Sequence, residues 1–239
     1  MALTANSFTT VFWIAVVPAF LAVALLLAGV DEPAAPHISG PKQPPLGFGG
    51  MRRLGRDFWA VLSFGTALAV ARFSEAFLVL RAQDVGLSIG LAPAVVVVMS
   101  VAYALSAYPA GVLADRMNRR WLLTIGMVVL MAADFCLAEA TGLGLVTVGA
   151  LLWGLHMGLT QGLLAAMVAD TAPDDLRATA FGVFSLAGGV GTLAASVIAG
   201  ALWDEFGPAV TFLAGAVFTA LSLLGLLLLP RWRGDSAHP

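Results

Sequence analysis

Residues 111–120 read GVLADRMNRR, one glycine, one acid and three arginines in ten positions, set between two long apolar runs at 90–112 and 121–140. Each run is close to the roughly 20 residues that carry a helix across about 30 Å of hydrocarbon. Neither alternates apolar with polar residues, as the strands of a transmembrane barrel do. Helices satisfy their own backbone hydrogen bonds in lipid, so both runs read as spanning helices. A short loop so rich in arginine belongs on the cytoplasmic side of a membrane.

Working outward, apolar runs place spans at about 11–30, 58–80, 90–112, 121–140, 145–168, 179–202 and 209–229. The composition agrees, since 60% of the 239 residues are apolar and 11% charged, against about half and a quarter in soluble domains. No Lys or Arg precedes the first run, which is also longer than the roughly 7–15 residues of a signal-peptide core, so it reads as a span. Residues 31–56 hold Pro33, Pro36, Pro41, Pro44, Pro45, Arg52, Arg53 and Arg56 and read as a flexible basic connector. The expected organisation is a transmembrane helix within 1–30, a cytoplasmic linker at 31–56, a six-helix domain at 57–230 and a tail at 231–239.

With the connector inside, alternation puts 113–120, 169–178 and 230–239 inside as well, and those four stretches hold ten of the twelve basic residues. Arg72 and Arg81, in or at the end of the second span, are the remaining two. The expected orientation is therefore N-terminus outside and C-terminus inside. An outside start followed by six more spans reads as a chain that lacks five helices at its front.

Several function classes drop out. The net charge of −2 comes with no basic run interleaved with aromatics, so nucleic acid is not an expected partner. Cys136 stands alone in an apolar run, which offers neither a disulfide nor a metal set and reads as a buried, inert thiol. Gly189, Gly191 and Ala194 have dinucleotide-binding spacing, but they lie inside a span with no strand before them, so no cofactor is expected. There is no Gly-x-Ser-x-Gly turn, His-Glu-x-x-His pair or phosphate loop, and the chain does not read as an enzyme.

The third span ends Gly111-Val-Leu-Ala-Asp115 and the sixth Gly200-Ala-Leu-Trp-Asp204, 200 − 111 = 89 residues and three spans apart. Three is odd, so the two copies sit at opposite faces, as an inverted three-helix repeat would place them. The wider segment at 111–120 resembles the loop signature of the major facilitator superfamily. Gly111, Asp115, Arg116, Arg119 and Arg120 match it, and Asn118 stands where glycine is usual. The stretch ADTAPDDLRATAFGVF (169–184) is similar to that family's loop between its tenth and eleventh helices. The resemblance covers nearly the whole chain, as helices six to twelve.

It implies an all-α membrane protein, a six-helix half bundle of two inverted three-helix repeats preceded by one extra helix. The implied function is proton-coupled secondary transport of a small solute by alternating access, in a bacterial cytoplasmic membrane. The implied partners are the solute, the lipid bilayer and a second chain or copy that supplies the missing N-terminal half. A non-transporting scaffold, or a truncated subunit that needs such a partner, is the alternative. Physically, Gly111 lets two helices approach closely, Asp115 caps a helix or pairs with an arginine, and the arginines hold the loop to an anionic leaflet. The resemblance implies more: that Asp115 and Arg116, Arg119 and Arg120 form a charge latch that breaks as the two halves rock.

Ionisable groups at membrane depth are costly and so are functional candidates. Arg72 and Glu75 are three apart, on one face of a continuous helix. They read either as a self-neutralising structural pair, or as a proton-exchanging Glu75 whose arginine tunes it or binds an anion. In the fifth span Trp153, His156 and Thr160 cluster on one side, roughly opposite Gly154 and Gly158. The resemblance places both groups on cavity-lining helices, as proton or substrate candidates. It places Asp134 on a peripheral helix, in a structural pair or capping water near the outer end. The sixth span carries two small-residue stripes, Ala187, Gly191, Ala195, Ala199 and Gly188, Thr192, Ser196, Gly200, suited to close helix packing.

Overall fold

The computed structural model describes residues 53–228, together with Met51, Trp13, 16–21 and 23–25. Half of the expected first span, most of the connector and all of the tail lie outside the described residues. From Arg56 onward the chain forms α1 (Arg56–Ala71), α2 (Ala76–Asp84), α3 (Ala94–Arg116), α4 (Arg119–Ala138), α5 (Leu143–Thr171), α6 (Arg177–Phe206) and α7 (Pro208–Leu228). A single 3-10 turn, Asp174–Leu176, precedes α6. Taking α1 and α2 together, six spans among the described residues are long and apolar enough to cross a membrane.

The helix ends follow from local chemistry. Asn118 caps α4, its side-chain carbonyl accepting the Arg120 backbone N–H at 2.8 Å. Its backbone is extended (φ −60°, ψ 123°), so nothing here demands the glycine of the family signature. Gly207, at φ +82°, turns α6 directly into α7, and Pro208 opens α7 with the fixed φ and missing N–H suited to a first helical position.

Small residues set the packing. A Cβ on Gly154 would land on the Met99 carbonyl and one on Gly158 on the Ser106 hydroxyl, so α5 meets α3 backbone to backbone. Gly126 of α4 leaves room for Thr160 of α5, whose methyl carbon would lie 2.5 Å from an added Cβ. The stripe Gly191, Ala195, Ala199 is buried, with Gly191 set against Thr66 and Ala69 of α1. The neighbouring stripe is only half-buried, and nothing lies within 4 Å of a Cβ on Gly188 or Gly200.

The contacts follow a pseudo-two-fold. α3 packs on α5 as α6 packs on α1, α4 packs on α5 as α7 packs on α1, and α4 and α7 pack on each other. The first three spans thus repeat as the second three, the expected inverted repeat. Its two matching segments sit at equivalent places, Asp115 in the last turn of α3 and Asp204 in the last turn of α6. The apolar windows of α3 and α6 are only 17% and 11% buried, against 50% for α4 and α5.

Two expectations need correcting. The second span is not continuous, because the helix stops at Ala71 and restarts at Ala76. Cys136 is only partly buried rather than sealed in the core.

Candidate functional site, a break in the first span of the bundle

Residues 72–75 join α1 to α2. Arg72 leaves helical geometry (φ −105°, ψ 86°) while its N–H still bonds the Leu68 carbonyl at 3.0 Å, closing α1. Glu75 is the N-cap position of α2. The two residues expected on one helix face therefore occupy facing half-helix ends. The positive guanidinium stands at the carbonyl end of α1 and the carboxylate at the N–H end of α2, each matched to the partial charge there. They are not among the ion pairs of the described residues, which are Arg53–Asp175, Arg81–Asp84, Arg119–Asp170 and Arg177–Asp174.

Between them Phe73 turns inward and is buried. Its ring packs on Phe77 (5.1 Å between centroids), Trp153 (5.5 Å) and Phe212 (5.5 Å), mostly edge to face. This aromatic cluster pins the break to α5 and α7.

Trp153, His156 and Thr160 are all fully buried. His156 Nδ1 lies 2.9 Å from the Gly126 carbonyl of α4, and since a carbonyl only accepts, Nδ1–H donates. Thr160 donates to the His156 carbonyl at 2.9 Å. His156 Nε2 and Trp153 Nε1 have no hydrogen-bond partner among the described residues. Both sides of α5 are thus packed, the glycine side on α3 and the polar side on α4. Trp153 joins the polar side to the break, through Phe73.

Within this bundle the arginine-rich loop ties α4 to the ends of α5 and α7. Arg119 pairs with Asp170 at the end of α5, and Arg120 donates to the Leu226 carbonyl of α7. Asp115 and Arg116 are exposed and belong to none of the ion pairs above. Gly111 is exposed with nothing near its Cβ position, so within this bundle it admits no close neighbour.

Two residues weigh more than the sequence suggested. Arg81 is buried and donates to the carbonyls of Leu137 (2.8 Å), Ala138 (3.1 Å) and Ala140 (2.8 Å) while pairing with Asp84. It caps the end of α4 from α2. The signal was its position, one of two arginines outside the basic loops. Asp134 is fully buried on α4, and neither carboxyl oxygen has a hydrogen-bond partner among the described residues.

The sequence profile of the Major Facilitator Superfamily matches residues 60–239. An uncharacterised MFS-type transporter of Methanocaldococcus jannaschii is 31% identical over 230 residues, 93% of this chain and 56% of that protein. An uncharacterised protein of Mycobacterium tuberculosis is 26% identical over 97% of this chain and 57% of its own length. Among solved structures, the peptide transporter POT in complex with alafosfalin superposes with a TM-score of 0.54 at 23% identity, covering 77% of this chain and 39% of that one. The chain spans about half the length of the curated relatives it matches. A profile matching most of the chain, a transporter relative along nearly all of it and the same helical arrangement agree: this multi-pass membrane protein belongs to the major facilitator superfamily.

Proposed function

We propose that the chain is the C-terminal half of a proton-coupled secondary transporter, working by alternating access on a small solute, with no catalytic chemistry. The observation that carries this reading is the break at 72–75, which sets Arg72 and Glu75 at opposed half-helix ends within a span. Such discontinuous helices offer fixed partial charges and ionisable groups where a span must bend and bind. Glu75 exchanges the proton and Arg72 holds the anionic form or an anionic group of the solute. Trp153, His156 and Thr160 support the break from behind rather than touching solute. The arginine-rich end faces the cytoplasm of a bacterial cell by the positive-inside rule.

The exposed faces of α3 and α6 support docking of an N-terminal half there, from a second chain or copy. Asp115, Arg116 and Gly111 at the end of α3 then serve as the latch between halves, and the 11–30 segment forms the extra helix. Glu75→Gln tests the reading in vesicles that contain both halves. Accumulation driven by a pH gradient is expected to vanish while downhill exchange persists, because the amide keeps the shape but does not ionise. Full pH-driven accumulation with Gln at 75 would remove Glu75 as the proton carrier. Vesicles with this half alone are expected to show no uptake. The rival scaffold reading predicts none with both halves either.

A further inference from the structure

Asp134 is a second ionisable group in the bundle interior that the reading above does not use. It lies on α4 and faces α7, where Gly215 makes room for it. A Cβ on Gly215 would stand 3.1 Å from Asp134 Oδ2 and 2.8 Å from the Phe73 ring. The carboxyl and the ring of the break residue thus meet over the same glycine. The carboxyl is fully buried, with neither oxygen bonded among the described residues.

The titratable side chains on the surrounding elements do not neutralise it. α7 has none over Pro208–Leu228. On α5, His156 is turned to the Gly126 carbonyl and Asp170 is paired with Arg119. On α2, Arg81 is committed to three carbonyls and Asp84. Arg72 and Glu75 flank Phe73, and α3 brings Tyr103, Tyr108, Asp115 and Arg116, none of them in an ion pair with Asp134. On α4 itself Arg119 and Arg120 are turned to Asp170 and Leu226, with Cys136 and Glu139 following Asp134 in the chain. An unpaired carboxylate sealed among Phe73, Gly215 and apolar side chains would cost many kcal/mol, whereas a neutral carboxyl is tolerated.

We propose that Asp134 is a proton-binding site, which holds its proton while Phe73 seals it and gives the proton up when the break moves and Phe73 withdraws. In that step the carboxyl O–H bond breaks, the electron pair stays on oxygen and the proton passes to entering water. Reversal reloads the site. The break then couples two ionisable positions: Glu75, two residues from Phe73 in the chain, and Asp134 behind its ring.

Infrared spectroscopy of the whole chain in lipid vesicles at neutral pH reads the site directly. The protonated-carboxyl carbonyl band is expected in the unmodified chain and missing in Asp134→Asn, while an unchanged band in a folded Asn variant overturns the proposal. Should Asp134→Asn fail to fold, Asp134→Glu decides, since it keeps the acid. The band then moves, and an unmoved band counts against the site. In heavy water, Phe73→Ala is expected to speed exchange of that band at least tenfold, and an equal rate overturns the sealing role. No solute is involved and all variants are read in a Glu75→Gln background, so the outcome is separate from whether the chain transports or Glu75 carries a proton.

Discussion

Arg81 shows how much one side chain holds. Its guanidinium supplies donors to three carbonyls at the end of α4 from a helix more than 50 residues earlier. Arg81→Ala leaves those carbonyls without their donor and is expected to cost about 3 kcal/mol, read as a lower thermal midpoint in detergent. Arg81→Lys is expected to recover less than half of the loss, because a point charge cannot serve three acceptors as the planar fork does. Asn118 makes the opposite case. Its cap bond to Arg120 explains why this position accepts either asparagine or the glycine of the family signature, since both are good N-caps. Asn118→Ala is expected to cost about 1 kcal/mol and Asn118→Gly only a few tenths, measured the same way.

Among elements, the glycine contacts rank themselves. Gly154 sits on the Met99 carbonyl, and backbone cannot step aside, whereas Gly191 faces Thr66 and Ala69 at 3.4–3.5 Å, ordinary contact distances. Gly154→Ala is therefore expected to part α3 from α5 and leave little monodisperse protein on size-exclusion chromatography. Gly191→Ala should behave like the parent. The number and order of the spans over the described bundle were legible because apolar run length reports directly on a lipid environment. The break was not. Residues 72–75 are Arg-Phe-Ser-Glu, with no proline or glycine to mark a stop. What holds the chain open there is Phe73 packing on Trp153 and Phe212, a contact made 80 and 139 residues away in the chain. For the same reason the sequence could group Arg72 with Glu75 but not bring Asp134 of α4 near the Phe73 ring, since the two meet only over Gly215 of α7.

At the scale of the molecule, burial is uneven in a symmetric way. α3 and α6 are equivalent under the pseudo-two-fold and are also the two least covered spans. Val101 and Leu105 on α3, and Val190 and Val197 on α6, stand exposed. With Cys136 replaced by Ser, Val101→Cys and Val190→Cys are expected to react with a membrane-permeant maleimide when this half is alone in vesicles. They should lose most of that reactivity when an N-terminal half is co-expressed. Unchanged labelling with both halves present would place the partner elsewhere.

Gly207 joins α6 to α7 within a single residue, and its φ of +82° is open to glycine and strained for other residues. A hinge without slack is a crank. A tilt of α6, the least covered span, has little room to leave α7 in place, and α7 carries Phe212 and Gly215, the contacts of Phe73 and Asp134. A one-residue link thus leaves the α6 surface and the buried Asp134 carboxyl separated by a single helix.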